Sequence, residues 1–461
     1  MFELLKRVES VDPVRSAILT HDGHATYAEL AASSRRVASS LNTEGIRRFV
    51  ILDHDADTVV ALLGGASIAG SEACQYPPAD PDEVQNLVQR FDHDVLVTKR
   101  RDLQGIGLRV MSPDELGAVV AGSASDVPEL PAPDSAAPRP HLVLTTGTTG
   151  APRGVRHDWN RLLRGTDRIK PGADERWLLA YGLHQFAGLQ VLLYVLAAGA
   201  TLVAPAPRRP REGLAAIRQL GVTHASATPT YWRFLLAEMR ADGGPVPALT
   251  QVTLGGEAVP GHLLGDLART FPGAHVSQVY ASSEFGSTGS MRDGRPGLSL
   301  DVLDRGDDAE VAMKIVDGEL WIRSRTGMLG YYDEPPVEAD GWRATGDLVV
   351  IEDDRILFTG RTSDIINVGG AKVHPLPIEE RVSAVPGVDM ARVYGRPNPM
   401  TGAIVALEVV SSPGAVPEAI EAEIRRACED LPPAAQPRSI RFVDSIAMAG
   451  NKIVRRDPGG S

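Results

Sequence analysis

His141-Leu142-Val143-Leu144, a short apolar run that reads as a strand, opens directly into Thr145-Thr146-Gly147-Thr148-Thr149-Gly150-Ala151-Pro152-Arg153-Gly154. A loop of alternating hydroxyls and glycines presents free backbone N–H groups and side-chain donors with little bulk, which is what wrapping a polyphosphate requires. The strand supplies the rigid base for that loop. It is not a Walker loop, because the G-x-x-x-x-G-K-[ST] spacing and its lysine are missing.

Helix and strand signals alternate on either side. Thr26 to Leu30 leads into helical spacing at Leu30, Val37 and Leu41, and Arg48 to Leu52 reads as a buried strand. Residues 127 to 140 hold five prolines and read as an extended connector, since proline lacks the donor needed inside helices and central strands. Further on, Val311 to Ile315 and Leu320 to Ile322 flank Asp317-Gly318, and Leu348 to Ile351 and Ile356 to Phe358 flank Asp353-Asp354. Both read as hairpins, so antiparallel strands dominate residues 310 to 360. Two strand-like runs follow, Met390 to Tyr394 and Ala403 to Val410, then a helix with Ile420, Ile424, Cys428 and Leu431 on one face. The chain thus divides into a large unit, 1–360, and a small α/β unit, 361–461.

Forty-seven basic against fifty-nine acidic residues leave a formal charge of -12, which argues against nucleic acid or an anionic membrane as partner. Cys74 and Cys428 alone cannot build a disulfide framework or a Cys-rich zinc site. The N-terminal residues lack a signal-peptide pattern, and no apolar run of about eighteen residues occurs, so a cytoplasmic soluble protein is expected.

Five further segments carry chemistry. Thr253-Leu254-Gly255-Gly256-Glu257-Ala258-Val259-Pro260 is a second strand-to-glycine loop. Gln278 to Gly286 is a third, placing the Tyr280 ring four residues before the Glu284 carboxylate. A ring can stack on a base, and a carboxylate can hold Mg²⁺ through oxygen. Trp342 to Asp347 puts an acid after a tight turn, suited to a ribose diol. Gly360 to Lys372 combines Arg361, a polar turn and the pair Gly369-Gly370. Gly450-Asn451-Lys452 sets a lysine beside small residues near the chain end.

In this order, the six segments resemble the adenylate-forming acyl-activating enzymes: acyl- and aryl-CoA synthetases, peptide-synthetase adenylation domains and luciferases. The resemblance runs from Thr26 to Arg455 and implies an α/β fold, with a large layered domain of doubly wound sheets, a small antiparallel β subdomain and a small mobile C-terminal domain. It also implies ATP, Mg²⁺ and either CoA or the phosphopantetheine of an acyl carrier protein. Thr145, Thr146, Gly147, Thr148, Thr149 and Gly150 would cradle the phosphates. Gly255, Gly256, Glu257 and Ala258 would line the base and acyl pocket, with Tyr280 stacking on adenine beside Ala281, Ser282 and Ser283. Asp347 would hold the ribose hydroxyls and Arg361 the ribose or phosphates. Glu284, with Thr148, would position Mg²⁺. Lys452 would serve the first half-reaction, and Gly369, Gly370, Ala371 and Lys372 the thiol's channel after domain rotation. The chain departs from the family pattern at Thr146, at Ala281, at Arg153 (usually lysine), at Ser363 (usually an acid) and at Asn451 (usually glycine).

His184, in Tyr181 to Gly188, matches the position where many relatives place an aromatic or histidine beside the substrate carboxylate. Residues 181 to 190 contain no acid, which disfavours an α-amino acid and leaves an aryl or short acid. Arg208-Arg209-Pro210-Arg211 reads as a surface loop, or as a contact for CoA phosphates or a carrier. Phe186, Tyr231 and Trp232 read equally as an aryl pocket or as core. The reading is of a ligase that adenylates a carboxylic acid and passes it to a thiol. Its alternatives are a ligase that uses an amine or stops at the adenylate, and a catalytically silent homologue.

Overall fold

The computed structural model describes residues 1–52, 55–119, 137–145, 152–204, 210–306, 308–338, 340–412, 414–449 and 452–453, with only the backbone of Ala449 and Lys452. The loop residues Thr146 to Gly150, the connector as far as residue 136, Arg208-Arg209 and the side chain of Lys452 therefore lie outside the described residues.

Among these residues an eight-stranded sheet has six parallel strands at its centre, in the order His275–Ser282, Gln251–Gly255, His224–Ala227, Arg176–Leu179, Thr201–Val203 and Ser16–Leu19. Antiparallel strands Gly286–Met291 and His24–Thr26 close its two edges. A seven-stranded sheet is parallel through Pro140–Thr145, Glu72–Gln75, Arg48–Ile51, Val95–Val97 and Arg109–Met111. At its other end it is antiparallel through Arg153–Asp158 and Gly330–Tyr331.

The two-residue period of a strand explains why both sheets are covered on both faces. Phe49 and Ile51 point into a core shared with the first sheet and built on the helices Phe2–Glu9, Tyr27–Thr43, Ala56–Ala69 and Phe186–Ala198. Val50 and Leu52 point the other way, onto Val84, Leu87 and Val88 of the helix Pro81–Arg90. Leu179 and Leu178 split in the same manner across the first sheet, and the second face is covered by Pro210–Gln219, Pro229–Asp242 and Gly261–Thr270. The helix Tyr27–Thr43 starts where Thr26 and Glu29 exchange hydrogen bonds in a capping box.

A third, five-stranded antiparallel sheet contains both expected hairpins, Val311–Val316 with Glu319–Ser324 and Arg343–Glu352 with Arg355–Arg361. Asp317 and Asp353 adopt the positive φ such tight turns need, at 51° and 52°. The segment Trp342 to Asp347 is not the tight turn expected. It enters the long strand Arg343–Glu352, and the break is an irregularity with Gly346 at φ 77°, where the Gly346 N–H donates to Glu319.

A fourth sheet runs Ala371–Val373, Ile366–Val368, Gly402–Ser411 and Val388–Asn398, with Ser439–Phe442 parallel to Gly402–Ser411. Helices Pro375–Ser383 and Pro417–Ala427 supply the rest of its core, which takes in Ile420, Ile424 and the buried Cys428. That second helix ends at Ala427, so Leu431 packs on the core from the following loop rather than from the helix face.

Candidate active site

Several of the expected residues converge where strands of the first and third sheets meet. The Tyr280 hydroxyl donates to Asp347 Oδ2 at 2.5 Å, and Arg361 Nε donates to Asp347 Oδ1 at 2.9 Å. Asp347 and Arg361 are direct cross-strand partners, so the backbone register sets this pair before the side chains do. Burial first, and then the Asp347 charge, push the Tyr280 phenol well above its ordinary value; Asp347 likewise raises Arg361. The Tyr280 ring leans on Phe358 at 5.0 Å.

Glu284 lies in the turn between His275–Ser282 and Gly286–Met291. Its carboxylate accepts from the Tyr331 hydroxyl at 3.1 Å, while its backbone carbonyl accepts from the Met328 N–H and from Arg343. Burial and the Glu284 charge push the Tyr331 phenol up to about 12. Among the described residues no group of three or more His, Cys, Asp and Glu could hold a metal. A single carboxylate fits Mg²⁺ that takes its other ligands from phosphates and water.

Gly255 ends its strand, and its carbonyl accepts from the buried Tyr181 hydroxyl at 3.2 Å. Glu257 turns back to the start of the helix Pro229–Asp242, accepting from the Thr230 N–H at 3.1 Å and the Thr230 hydroxyl at 2.7 Å. There it satisfies donors that a helix N-terminus leaves open, in a field that favours an anion. His184 folds back over Gly182: a Cβ at Gly182 would stand 2.2 Å from the His184 ring, so only glycine admits this pose.

Glu257 and Ala258 line a cleft together with Thr230, Arg233, Phe358, Glu380 of the small unit and Ile453. Ile453 directly follows Lys452 in the short strand Lys452–Ile453, which places the Lys452 backbone at the cleft's edge. Gly369, Gly370 and Lys372 are not among the lining residues. They form an exposed hairpin, where the Gly369 N–H donates to the Thr401 carbonyl in the turn that precedes the strand Gly402–Ser411. Ala281, Ser282 and Ser283 are half-buried beside Tyr280, and Thr145 pairs with Arg153 at the base of the loop.

Tyr231 and Trp232 belong to the core behind the first sheet, with Trp232 Nε1 donating to the Thr253 carbonyl; Phe186 stacks on the buried His157. Sequence reading missed Tyr331, Phe358, Thr230 and Arg233. The signal for the last two was present: on the helix Pro229–Asp242 the polar residues Thr230 and Arg233 share one face at i, i+3 spacing.

Residues 5–332 match the model of the AMP-binding enzyme family, and residues 377–452 match the AMP-binding enzyme C-terminal domain. A feruloyl-CoA synthase from Amycolatopsis sp is 26% identical, over 96% of this chain and 96% of its own. A fatty acid–[acyl-carrier-protein] ligase from Streptomyces coeruleorubidus is also 26% identical, over 97% of this chain and 93% of its own. The crystal structure of an anthranilate CoA ligase in complex with anthranoyl-AMP superposes with a TM-score of 0.84 at 22% identity, covering 98% of this chain and 95% of that one. With both models matched in order, and the first alone covering well over half the residues, the chain belongs to the AMP-binding enzyme family.

Proposed function

We propose that the protein activates a small carboxylic acid with ATP and passes the acyl group to a pantetheine thiol, either of CoA or of an acyl carrier protein. The observation that carries this reading is the meeting of three things at one place. The Tyr280–Asp347–Arg361 cluster offers a ring and a diol-binding acid, Glu284 offers an oxygen ligand, and the backbone of Lys452 stands at the edge of the adjoining cleft.

In the first half-reaction a carboxylate oxygen attacks the α-phosphorus of ATP in line, the acyl–O–P bond forms, and the bond to pyrophosphate breaks. The protein's task is to neutralise charge growing on the phosphoryl oxygens and the leaving group. Thr148, Thr149 and Lys452 are assigned to that task, and Tyr280, Asp347 and Arg361 to the nucleoside. Mg²⁺ held by Glu284 with Thr148 would offset phosphate charge. In the second half-reaction a thiol attacks the acyl carbonyl and AMP leaves.

We keep the boundary at 360/361 as a proposal, supported by the end of the third sheet at Arg361, one residue past it, and by the start of the fourth sheet at Ile366. Rotation there would withdraw Lys452 and bring Gly369 to Lys372 to the thiol. Residues 181–190 offer no acid for a substrate ammonium, which supports an aryl or short acid over an α-amino acid. The relatives include a carrier-protein ligase as well as a CoA synthase, so both acceptors are kept. The test is acid-dependent hydroxamate formation with ATP across aryl, short-chain and long-chain acids, then the same panel with CoA and with a phosphopantetheinylated carrier. Hydroxamate formed from aryl or short acids supports the reading. Its absence from every acid would refute it.

A further inference from the structure

Arg153, the first strand residue after the phosphate loop, stands where the family usually has lysine, a residue suited to reaching a phosphate. Its guanidinium does something else in this chain. It lies over the Tyr331 ring, 3.3 Å from the centroid, and pairs with Glu334 on the same segment. Tyr331 in turn donates its hydroxyl to Glu284 at 3.1 Å. The strand Gly330–Tyr331 is the edge partner of Arg153–Asp158, and the Tyr332 N–H donates to the Gly154 carbonyl at 2.8 Å. A Cβ at Gly154 would come within 2.8 Å of Phe91 and 3.1 Å of Tyr332, so the close seating of this segment needs glycine there. The same segment grips Glu284 by its backbone, through the Met328 N–H.

We infer that Arg153 is a positioning residue: stacked on Tyr331 and neutralised by Glu334, it holds the Tyr331 hydroxyl against Glu284 and so orients the carboxylate for the metal. This rests on the proposal that Glu284 holds Mg²⁺. A planar guanidinium covers a ring and pairs with a carboxylate at the same time; an ammonium does so poorly. Lysine at this position would therefore be no substitute for Arg153.

The test uses the full-length chain with a non-hydrolysable ATP analogue and Mn²⁺ as a paramagnetic probe. Nucleotide binding without metal is measured separately, and melting temperature reports folding. Tyr331→Phe and Arg153→Gln are each expected to weaken Mn²⁺ binding about tenfold, as loss of an outer-shell partner does. Metal-free nucleotide binding should be unchanged. Arg153→Lys should resemble Arg153→Gln, and adding Arg153→Gln to Tyr331→Phe should cost nothing further, because both act along one path. Unaltered Mn²⁺ binding in Tyr331→Phe would overturn the inference. So would weaker metal-free nucleotide binding in Arg153→Gln that Arg153→Lys restores, since this marks a direct phosphate contact. Glu284→Gln separates the two levels. If it too leaves Mn²⁺ binding intact, the metal assignment itself falls and the relay with it; if it alone weakens binding, only the relay falls.

Discussion

Asp347 receives the Tyr280 hydroxyl on one oxygen and Arg361 on the other, so a single carboxylate fixes two other members of the cluster proposed to bind the nucleoside. Asp347→Asn keeps the shape and removes the charge. Hydrogen bonds to charged groups are worth about 1.5 to 3 kcal/mol, so the variant should weaken ATP binding by roughly tenfold or more, measured by calorimetry. Binding within twofold of the native value, about 0.4 kcal/mol, would show that the cluster does not face the nucleotide. Gly182 offers a sharper probe of His184. Gly182→Ala leaves the histidine in the chain but puts a methyl where its ring sits, so the ring must give way. If His184 meets the substrate carboxylate, kcat/KM for the acid should fall by up to about a hundredfold. ATP affinity should hold, and the loss should match that of His184→Ala. The residue types of the cluster were legible in the sequence, because rings, acids and glycines at set spacings limit their chemistry. Tyr331 was not: a glycine followed by two tyrosines is ordinary strand sequence until pairing lays it against Arg153–Asp158.

The hairpin Pro140–Thr145 and Arg153–Asp158 flanks the loop we assign to phosphate at one end and buries two histidines at the other. His141 and His157 are cross-strand partners; burial lowers their pKa values to about 4 and about 3. Both are therefore neutral in the native state at pH values where an unfolded histidine, near 6.5, takes up a proton. Folded pKa values below unfolded ones give stability that is present above about pH 6.5 and lost as pH falls toward 4 and 3. Chemical denaturation at stepped pH should show this decline, and His157→Phe, which keeps a ring against Phe186, should reduce its slope by up to about 1.4 kcal/mol per pH unit. An unchanged slope would mean that His157 does not titrate on unfolding. Elements read well from sequence where a local rule governs, as in the hairpins around Asp317 and Asp353. They read poorly where the phase of a helix decides: Tyr231 and Trp232 turn to the core while Thr230 and Arg233 turn to the cleft. The helix expected through Leu431 ends at Ala427, and Leu431 fitted the helical spacing only because it reaches the same core from the following loop.

Across the whole molecule, we propose that a large unit holds ATP and acid and a small one rotates between the two half-reactions. Thr362 and Ser363 are exposed between the end of the third sheet at Arg361 and the start of the fourth at Ile366, where a pivot needs backbone free to change. Brief proteolysis should cut near 360–364 and be slowed by ATP with a good acid substrate; indifference to ligand would argue against rotation. The layered α/β class was legible because helix and strand signals alternate along the chain. The contact of Ile453 and Glu380 with the cleft was not, since no local pattern reports how two units meet. The most direct test follows the two half-reactions separately in the native protein and in Lys452→Ala. Acid-dependent ATP–pyrophosphate exchange should be present in the native chain and fall by about 10² to 10³ or more in the variant, the usual loss when a charge clamp on the transition state is removed. Thioester formation from a supplied acyl adenylate should survive nearly intact. Equal loss in both half-reactions, or no acid-dependent exchange in the native protein, would contradict the account.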